Sequence, residues 1–244
     1  MIDRPFLGIL LMLGFCVLAP LGDATAKLLG DEMSVGFLVF VRFAVQAALL
    51  MPLVWLLKYP LPKGARLLRL TALRTCLHIA GITLMFSSLQ FLELADAIAI
   101  AFVMPFILLL LGRYFLNEEV GPHRLAACAV GFIGTLLVVQ PNFVEVGLPA
   151  LLPIGVAVVF ALFMLVTRKI AKEVDPIGLQ ALSGAMAVAI VGVALIAFPQ
   201  TALLAVHPVA GSDWGLLAVL GGLGTVAHLL MTWSLRFAPS ATLA

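Results

Sequence analysis

The chain is a succession of long apolar runs separated by short polar joints, and the runs are continuous rather than alternating from residue to residue. A half-buried strand would alternate with a period of two, so the pattern predicts helices. About 20 apolar residues suffice for a helix to cross the hydrocarbon core of a bilayer. Runs of that length fall at 6–28, 35–57, 70–92, 95–116, 122–140, 150–168, 177–198 and 214–235. The pattern therefore predicts eight complete spans and a ninth just begun at Ala244. The tightest joint lies between the third and fourth spans, at Glu93 and Asp96.

Composition identifies the solvent. Apolar residues make up 64% and charged residues 11% of the chain, against about 45–50% and about 25% in soluble domains. The expected class is an all-α polytopic membrane protein, since lipid forces every backbone group to bond internally. A net charge of +2, with basic residues at the ends of runs, gives no nucleic-acid footprint. Cys16, Cys76 and Cys128 lie inside apolar runs at neither pairing nor metal spacing and read as small core hydrophobes, so no metal or cofactor is expected. Arg4 and the small-x-small triplet Ala24-Thr25-Ala26 imitate a signal peptide, but the first run is expected to stay as a helix. Leu13-Gly14-Phe15-Cys16 fails as a lipoprotein site because Phe15 is bulky.

If the spans alternate in direction, one side collects Arg4, Lys58, Lys63, Arg66, Arg69, Arg74, Arg113, Arg124, Arg168, Lys169, Lys172 and Arg236, and the other only Lys27. The positive-inside rule then predicts a cytoplasmic N-terminus and cytoplasmic loops at 58–69, 113–124 and 168–176.

A repeat refines this picture. At a constant offset Gly81, Leu92 and Ala95 pair with Gly224, Leu235 and Ala238, and at nearly the same offset Thr25, Lys27 and Gly36 correspond to Thr167, Lys169 and Gly178. Two homologous halves, 1–141 and 142–244, are expected, each a five-helix unit when complete. An odd number of helices inverts the second half, as in many secondary transporters. The first half continues past Ala101 through Pro105, Asn117-Glu118 and a fifth span, so the second is expected to be incomplete at its C-terminus. Asp96 is expected as an N-cap and Pro239 in a first turn. Ala127, Gly131 and Thr135, and likewise Gly221 and Thr225, are expected as close-packing seams.

Arg42 lies about seven residues, or ~10 Å, inside the second span, with Gln46 one turn on. It fits either an anion contact facing a cavity or a pair with Asp23 and backbone carbonyls. Asp23 precedes Lys27 by four residues, which predicts a local ion pair and leaves a protonatable coupling site open. His78 and His228, the latter one turn before Thr232, are candidates for a substrate or proton path; lone histidines otherwise simply pack. Gln90 and Trp233 are further candidates, whereas Ser87 and Ser88 read as interhelical hydrogen bonds. Pro20 and Pro105 are candidates for a helix opening and a gating bend. Glu118 and Glu119 read as dipole partners of the helix that begins at Pro122.

The chain resembles the drug/metabolite transporter superfamily, specifically its EamA-type members. The resemblance rests on Gly22 through Lys27 to Arg42, Leu94-Ala95-Asp96-Ala97 through Pro105 to Leu116-Asn117-Glu118, Gly131-Phe132-Ile133-Gly134, and Thr167-Arg168-Lys169. It implies a ten-helix secondary transporter of the bacterial inner membrane, with a cavity bordered by helices one, three and four and their counterparts. The function expected from it is transport of a small polar metabolite, amino-acid-like or related, by alternating access, with no enzymatic step. Partners are then a small-molecule substrate and the lipid bilayer, with a coupling proton or cation and a homodimer left open. Alternatives are a membrane interaction subunit, an inactive transporter fragment or, remotely, an intramembrane aspartyl protease using Asp23 and Asp96.

Overall fold

The computed structural model describes residues 4–116, 121–139, 147–206 and 208–243. They form α1 (Pro5–Leu29), α2 (Val35–Leu57), α3 (Ala65–Ser88), α4 (Leu94–Ala101), α5 (Met104–Leu116) and α6 (Pro122–Val139), then, after a 3-10 turn at Leu148–Ala150, α7 (Leu151–Ala171), α8 (Pro176–Ala197), α9 (Asp213–Phe237) and α10 (Ser240–Leu243). No strand occurs among the described residues.

Among the described residues, seven helical stretches are long and apolar enough to cross a membrane, with α4 and α5 counting as one. The expected eight complete spans are not matched. The fifth, α6, is a shorter apolar helix, and the residues that would extend it, 140–146, lie outside the described ones, as do Asn117, Glu118 and Glu119. The expected start of a ninth span is the single turn α10.

Local chemistry explains the starts. Ser34 accepts from Phe37 N at the head of α2, and Asp175 accepts from Ile177 N and Gly178 N ahead of Pro176 at α8. Asp96 is not the expected cap. Glu93 holds the N-cap position of α4 without a side-chain cap bond, and Asp96 sits inside the first turn. Pro105 sits in the fourth span just after an interruption, not inside a continuous helix. The helix breaks at Phe102 and Val103, and Pro105 is the second residue of α5, where a missing N–H costs nothing. Pro20 leaves α1 continuous.

The most extensive helix pairs are α1 with α9, α2 with α8, and α3 with α7. Gly221 permits α9 to meet α2 closely, because a Cβ there would fall 2.3 Å from Val45 Cβ. The other expected seam is open at Gly131, where a Cβ would meet nothing within 4 Å among the described residues. The cysteines correct a second expectation, since Cys16 and Cys76 are exposed and Cys128 half-buried, not core residues. In a bilayer the outer surface is as apolar as the core, so an apolar setting does not imply the interior. Trp55, 88% exposed, shows the outward face at its plainest, while Arg42, Gln46, Arg74, Gln180 and Ser183 are buried within.

Contacts define the two ends of the bundle. At one end Arg4 N donates to Phe237 O, Arg236 Nη1 to Val174 O, and Arg66 Nη1 to Glu173 Oε2 at 2.7 Å. The hydrogen bond from Arg66 holds the exposed Glu173 carboxyl below its ordinary range. At the other end Lys27 Nζ donates to Leu92 O at 2.7 Å and lies 3.7 Å from Glu93 Oε2. The expected Asp23–Lys27 pair does not form. Lys27 instead ties α1 to the joint after α3, which frees Asp23.

Candidate functional site

A cavity of about 300 Å³ lies between α1, α2, α3, α4, α5, α7 and α9. Its polar lining includes Asp23, Arg42 and His228, and its walls are largely apolar, with Phe15, Phe160 and Met164 among them. Pro20 and Pro105 also line it. Asp23 makes no hydrogen bond or ion pair within 4 Å among the described residues.

Arg42 reaches this place because α2 and α9 touch. Nη2 donates to Gly224 O at 3.4 Å and lies 2.9 Å from His228 Nδ1. Gly224 makes room, since a Cβ there would stand 2.7 Å from Arg42 Nε. The guanidinium also lies 4.9 Å from the centre of the Phe43 ring. Nη1 is buried without a hydrogen-bond partner among the described residues.

His228 is pulled two ways. Its Nδ1 is also 3.0 Å from Gly224 O, but one ring nitrogen cannot accept from Arg42 and donate to a carbonyl together. Arginine is only a donor, so a neutral ring that meets it favourably keeps Nδ1 bare and carries its proton on Nε2. Nε2 is buried and has no partner. His78, one layer behind, has neither ring nitrogen bonded. Each unsatisfied buried polar group costs about 1–3 kcal/mol, and four of them gathered around Arg42 and the two histidines call for an explanation.

The surrounding rings form a cage. Phe15 stacks on Phe160 at 5.7 Å and meets His228 edge-on at 5.4 Å. His228 and His78 have ring centres 4.3 Å apart, and His78 stacks on Phe163 at 4.5 Å.

Below this stack lies a residue that sequence reading misplaced. Arg74, counted among the boundary charges, is 0% exposed. Its Nε donates to Thr167 Oγ1 at 2.9 Å, Nη1 to Ser183 Oγ at 2.9 Å and Nη2 to Thr232 Oγ1 at 3.4 Å, and the guanidinium lies 4.6 Å from the Phe163 ring centre. Beside it Gln46 Nε2 donates to Gln180 O at 2.8 Å, and Gln180 Nε2 to Thr232 Oγ1 at 3.2 Å. The signal in the sequence was Thr71, Arg74, Thr75 and His78, which share one face of a helix. Placing the start of the third span at residue 70 rather than at Ala65 hid it.

The structure thus brings Asp23, Arg42, His228, Pro20 and Pro105 to one cavity and puts His78 one layer behind. Gln90 is exposed in the turn after α3, and Trp233 is half-buried outside the cavity lining. Asp96, which an aspartyl protease would need beside Asp23, is not among the lining residues. Ser88 donates to Met85 O within its own helix rather than across helices.

Comparison with known proteins adds the family. A riboflavin transporter of Rhizobium johnstonii is 35% identical over 97 residues, 40% of this chain and 32% of that protein. A riboflavin transporter of Brucella anthropi is 26% identical over 80% of this chain and 68% of its own length, and an S-adenosylmethionine uptake transporter of Rickettsia felis 26% over 84% and 67%. The matches therefore span between about a third and two thirds of these relatives' length. A solved crystal structure superposes with a TM-score of 0.71 over 98% of this chain and 81% of its own, at 18% identity, a likeness of fold. The EamA-like transporter family matches residues 6–140, more than half of the 244. With that match and a bundle of membrane-length helices around a polar-floored cavity, the chain belongs to the EamA-like transporter family.

Proposed function

We propose that the protein is a secondary transporter that moves a small metabolite built on a flat heteroaromatic ring with acceptor oxygens across the bacterial inner membrane by alternating access. The observation that carries this reading is the cavity itself, where Arg42, with an unpartnered nitrogen, stands beside the rings of His228, Phe15 and Phe160. Ring faces suit a planar cargo, and a guanidinium suits carbonyl, carboxylate or phosphate oxygens. The amino-acid-like cargo expected from sequence gives way to this class, because the relatives are named for riboflavin and S-adenosylmethionine. Of those two, the site favours the carbonyl-bearing neutral ring of riboflavin. Two buried arginines against the single carboxylate of Asp23 disfavour a sulfonium cation.

The orientation belongs to the same proposal. Arg4, Lys58, Lys63, Arg66, Lys169 and Lys172 gather at the Arg66–Glu173 end, which is taken as cytoplasmic together with the N-terminus. The lining residues of the cavity fall mostly in the half nearer Lys27, the side that this reading takes as outward. The halves 1–141 and 142–244 are taken as an inverted repeat. This is supported by the packing, because exchanging α1, α2 and α3 with α7, α8 and α9 leaves the three main helix pairs unchanged.

The test is uptake by proteoliposomes that contain the purified full chain, with riboflavin and S-adenosylmethionine offered separately. Riboflavin uptake that Arg42→Gln removes is the expected result. Uptake of S-adenosylmethionine alone would replace the ring-and-acceptor class by a cationic one, and uptake of neither would end the reading.

A further inference from the structure

Arg42 and Arg74 stand at different depths of one path. Measured from the Lys27 end, Arg42 is seven residues into α2 and Arg74 fourteen residues from the end of α3, so roughly 10 Å and roughly 21 Å deep at 1.5 Å per residue. Between them the rings of His228, His78 and Phe163 follow one another at 4.3 and 4.5 Å, and Arg74 closes the series 4.6 Å from Phe163. Each arginine rests on a phenylalanine face, and neither has a carboxylate within 4 Å among the described residues.

A tie between helices does not need a charge at this place. The neutral Gln46–Gln180–Thr232 bonds beside Arg74 already join α2, α8 and α9. A guanidinium held by hydroxyls and a ring face, with no carboxylate beside it, keeps its full charge, and those neutral partners offset only part of its desolvation cost. That cost is understandable if the charge meets an acceptor from elsewhere during the working cycle. We propose that Arg74, with Thr167, Ser183 and Thr232, is a second binding station on the transport path. It takes the acceptor oxygens of the same flat-ring cargo after that cargo has left Arg42. This inference rests on the transport reading above. In passing, the ring of the cargo replaces Phe163 in the stack, and the hydroxyls of α7, α8 and α9 hold Arg74 ready until it arrives.

Riboflavin is the probe, and the purified full chain is measured in two ways: equilibrium binding by quenching of riboflavin fluorescence, and uptake after reconstitution. For Arg74→Gln, binding is expected within about twofold of wild type while uptake falls about tenfold or more, the size of one lost charged hydrogen bond. Arg74→Lys, which restores the charge, should recover part of the rate. A purely structural tie would lower binding and uptake together, with Lys no better than Gln, and that result overturns the proposal. So does wild-type uptake by Arg74→Gln. If Arg74→Gln fails to reach the membrane, Ser183→Ala replaces it. Uptake slower by about threefold at unchanged binding is then expected, and unchanged uptake overturns the station. A wild-type chain that binds no riboflavin removes the transport reading and this inference with it, whereas normal binding with unaffected Arg74 variants removes the inference alone.

Discussion

The surroundings of Arg42 and of Arg74 use the same parts in opposite ways. Both guanidiniums lie in the membrane interior over a phenylalanine ring. Around Arg74 three hydroxyls from three helices take the donors, and no lining of the cavity reaches it. Around Arg42 a void opens, one nitrogen has no hydrogen-bond partner among the described residues, His228 faces competing demands and Asp23 makes no ion pair within 4 Å among those residues. Satisfied polar groups fix helices together, and unsatisfied ones beside a void are where a ligand can gain the most. That contrast fits the proposal of a first cargo contact at Arg42 and a later one at Arg74, whose hydroxyl partners hold it until the cargo arrives.

The largest effect should come from the open side. Arg42→Gln is expected to lower riboflavin binding and uptake by about tenfold or more, whereas Lys63→Ala, in an exposed loop, should leave both unchanged at equal membrane abundance. Equal behaviour of the two variants would break the comparison.

A smaller effect is expected from Gly224→Ala. The added methyl would stand 2.7 Å from Arg42 Nε, so the guanidinium must shift, and binding should weaken several-fold, about 1 kcal/mol. Gly131→Ala, which meets nothing within 4 Å, is the matched control. Loss of binding in both would point to a general effect on helix packing.

Thr232→Val tests the linkage between the two regions. It removes the hydroxyl that accepts from both Gln180 and Arg74, and about 1 kcal/mol of stability should be lost per broken bond. Thermal unfolding in detergent measures this. A stability loss accompanied by a larger loss of riboflavin binding would contradict the separation of the first binding site from the later station at Arg74.

How much of this was legible in the sequence follows from what each residue type reports. Apolar run length reports solvent and therefore marked the membrane-length helices well. It cannot say which positions are packed, so Cys16 and Cys76 were read as core when both are exposed, Cys16 among the cavity-lining residues. Arg42 stood out because it is deep in its run from either end. Arg74 did not, because the apolar run begins at residue 70 while the helix begins at Ala65 with Arg66 and Arg69 on its first turns. Lys27 was given to its neighbour Asp23 by the spacing rule, but the carbonyls that it chose belong to the joint after α3, more than sixty residues away. The ring cage was illegible, since Phe15, His78, Phe160 and His228 meet only through tertiary packing.

The smallest predicted effect lies at the surface. Arg66 holds Glu173 ionised below the usual carboxylate range, so this pair contributes its stability above the ordinary glutamate value and loses it as pH falls through the lowered one. Both side chains are exposed, at 58% and 44%, and salt screens them. Glu173→Gln should leave riboflavin binding unchanged and the unfolding temperature nearly so, and a marked fall would mean that this end of the bundle contributes more to closure than its exposure suggests.

The central claim is that a planar, acceptor-bearing cargo occupies the space between Arg42 and the Phe15–Phe160 rings. It is tested most directly by an experimental structure of the full chain determined with riboflavin present. The account predicts ligand density stacked on Phe15 or Phe160 with a ring oxygen within hydrogen-bond distance of Arg42. Density seated elsewhere, with Arg42 Nη1 and His228 Nε2 still unpartnered, would contradict it.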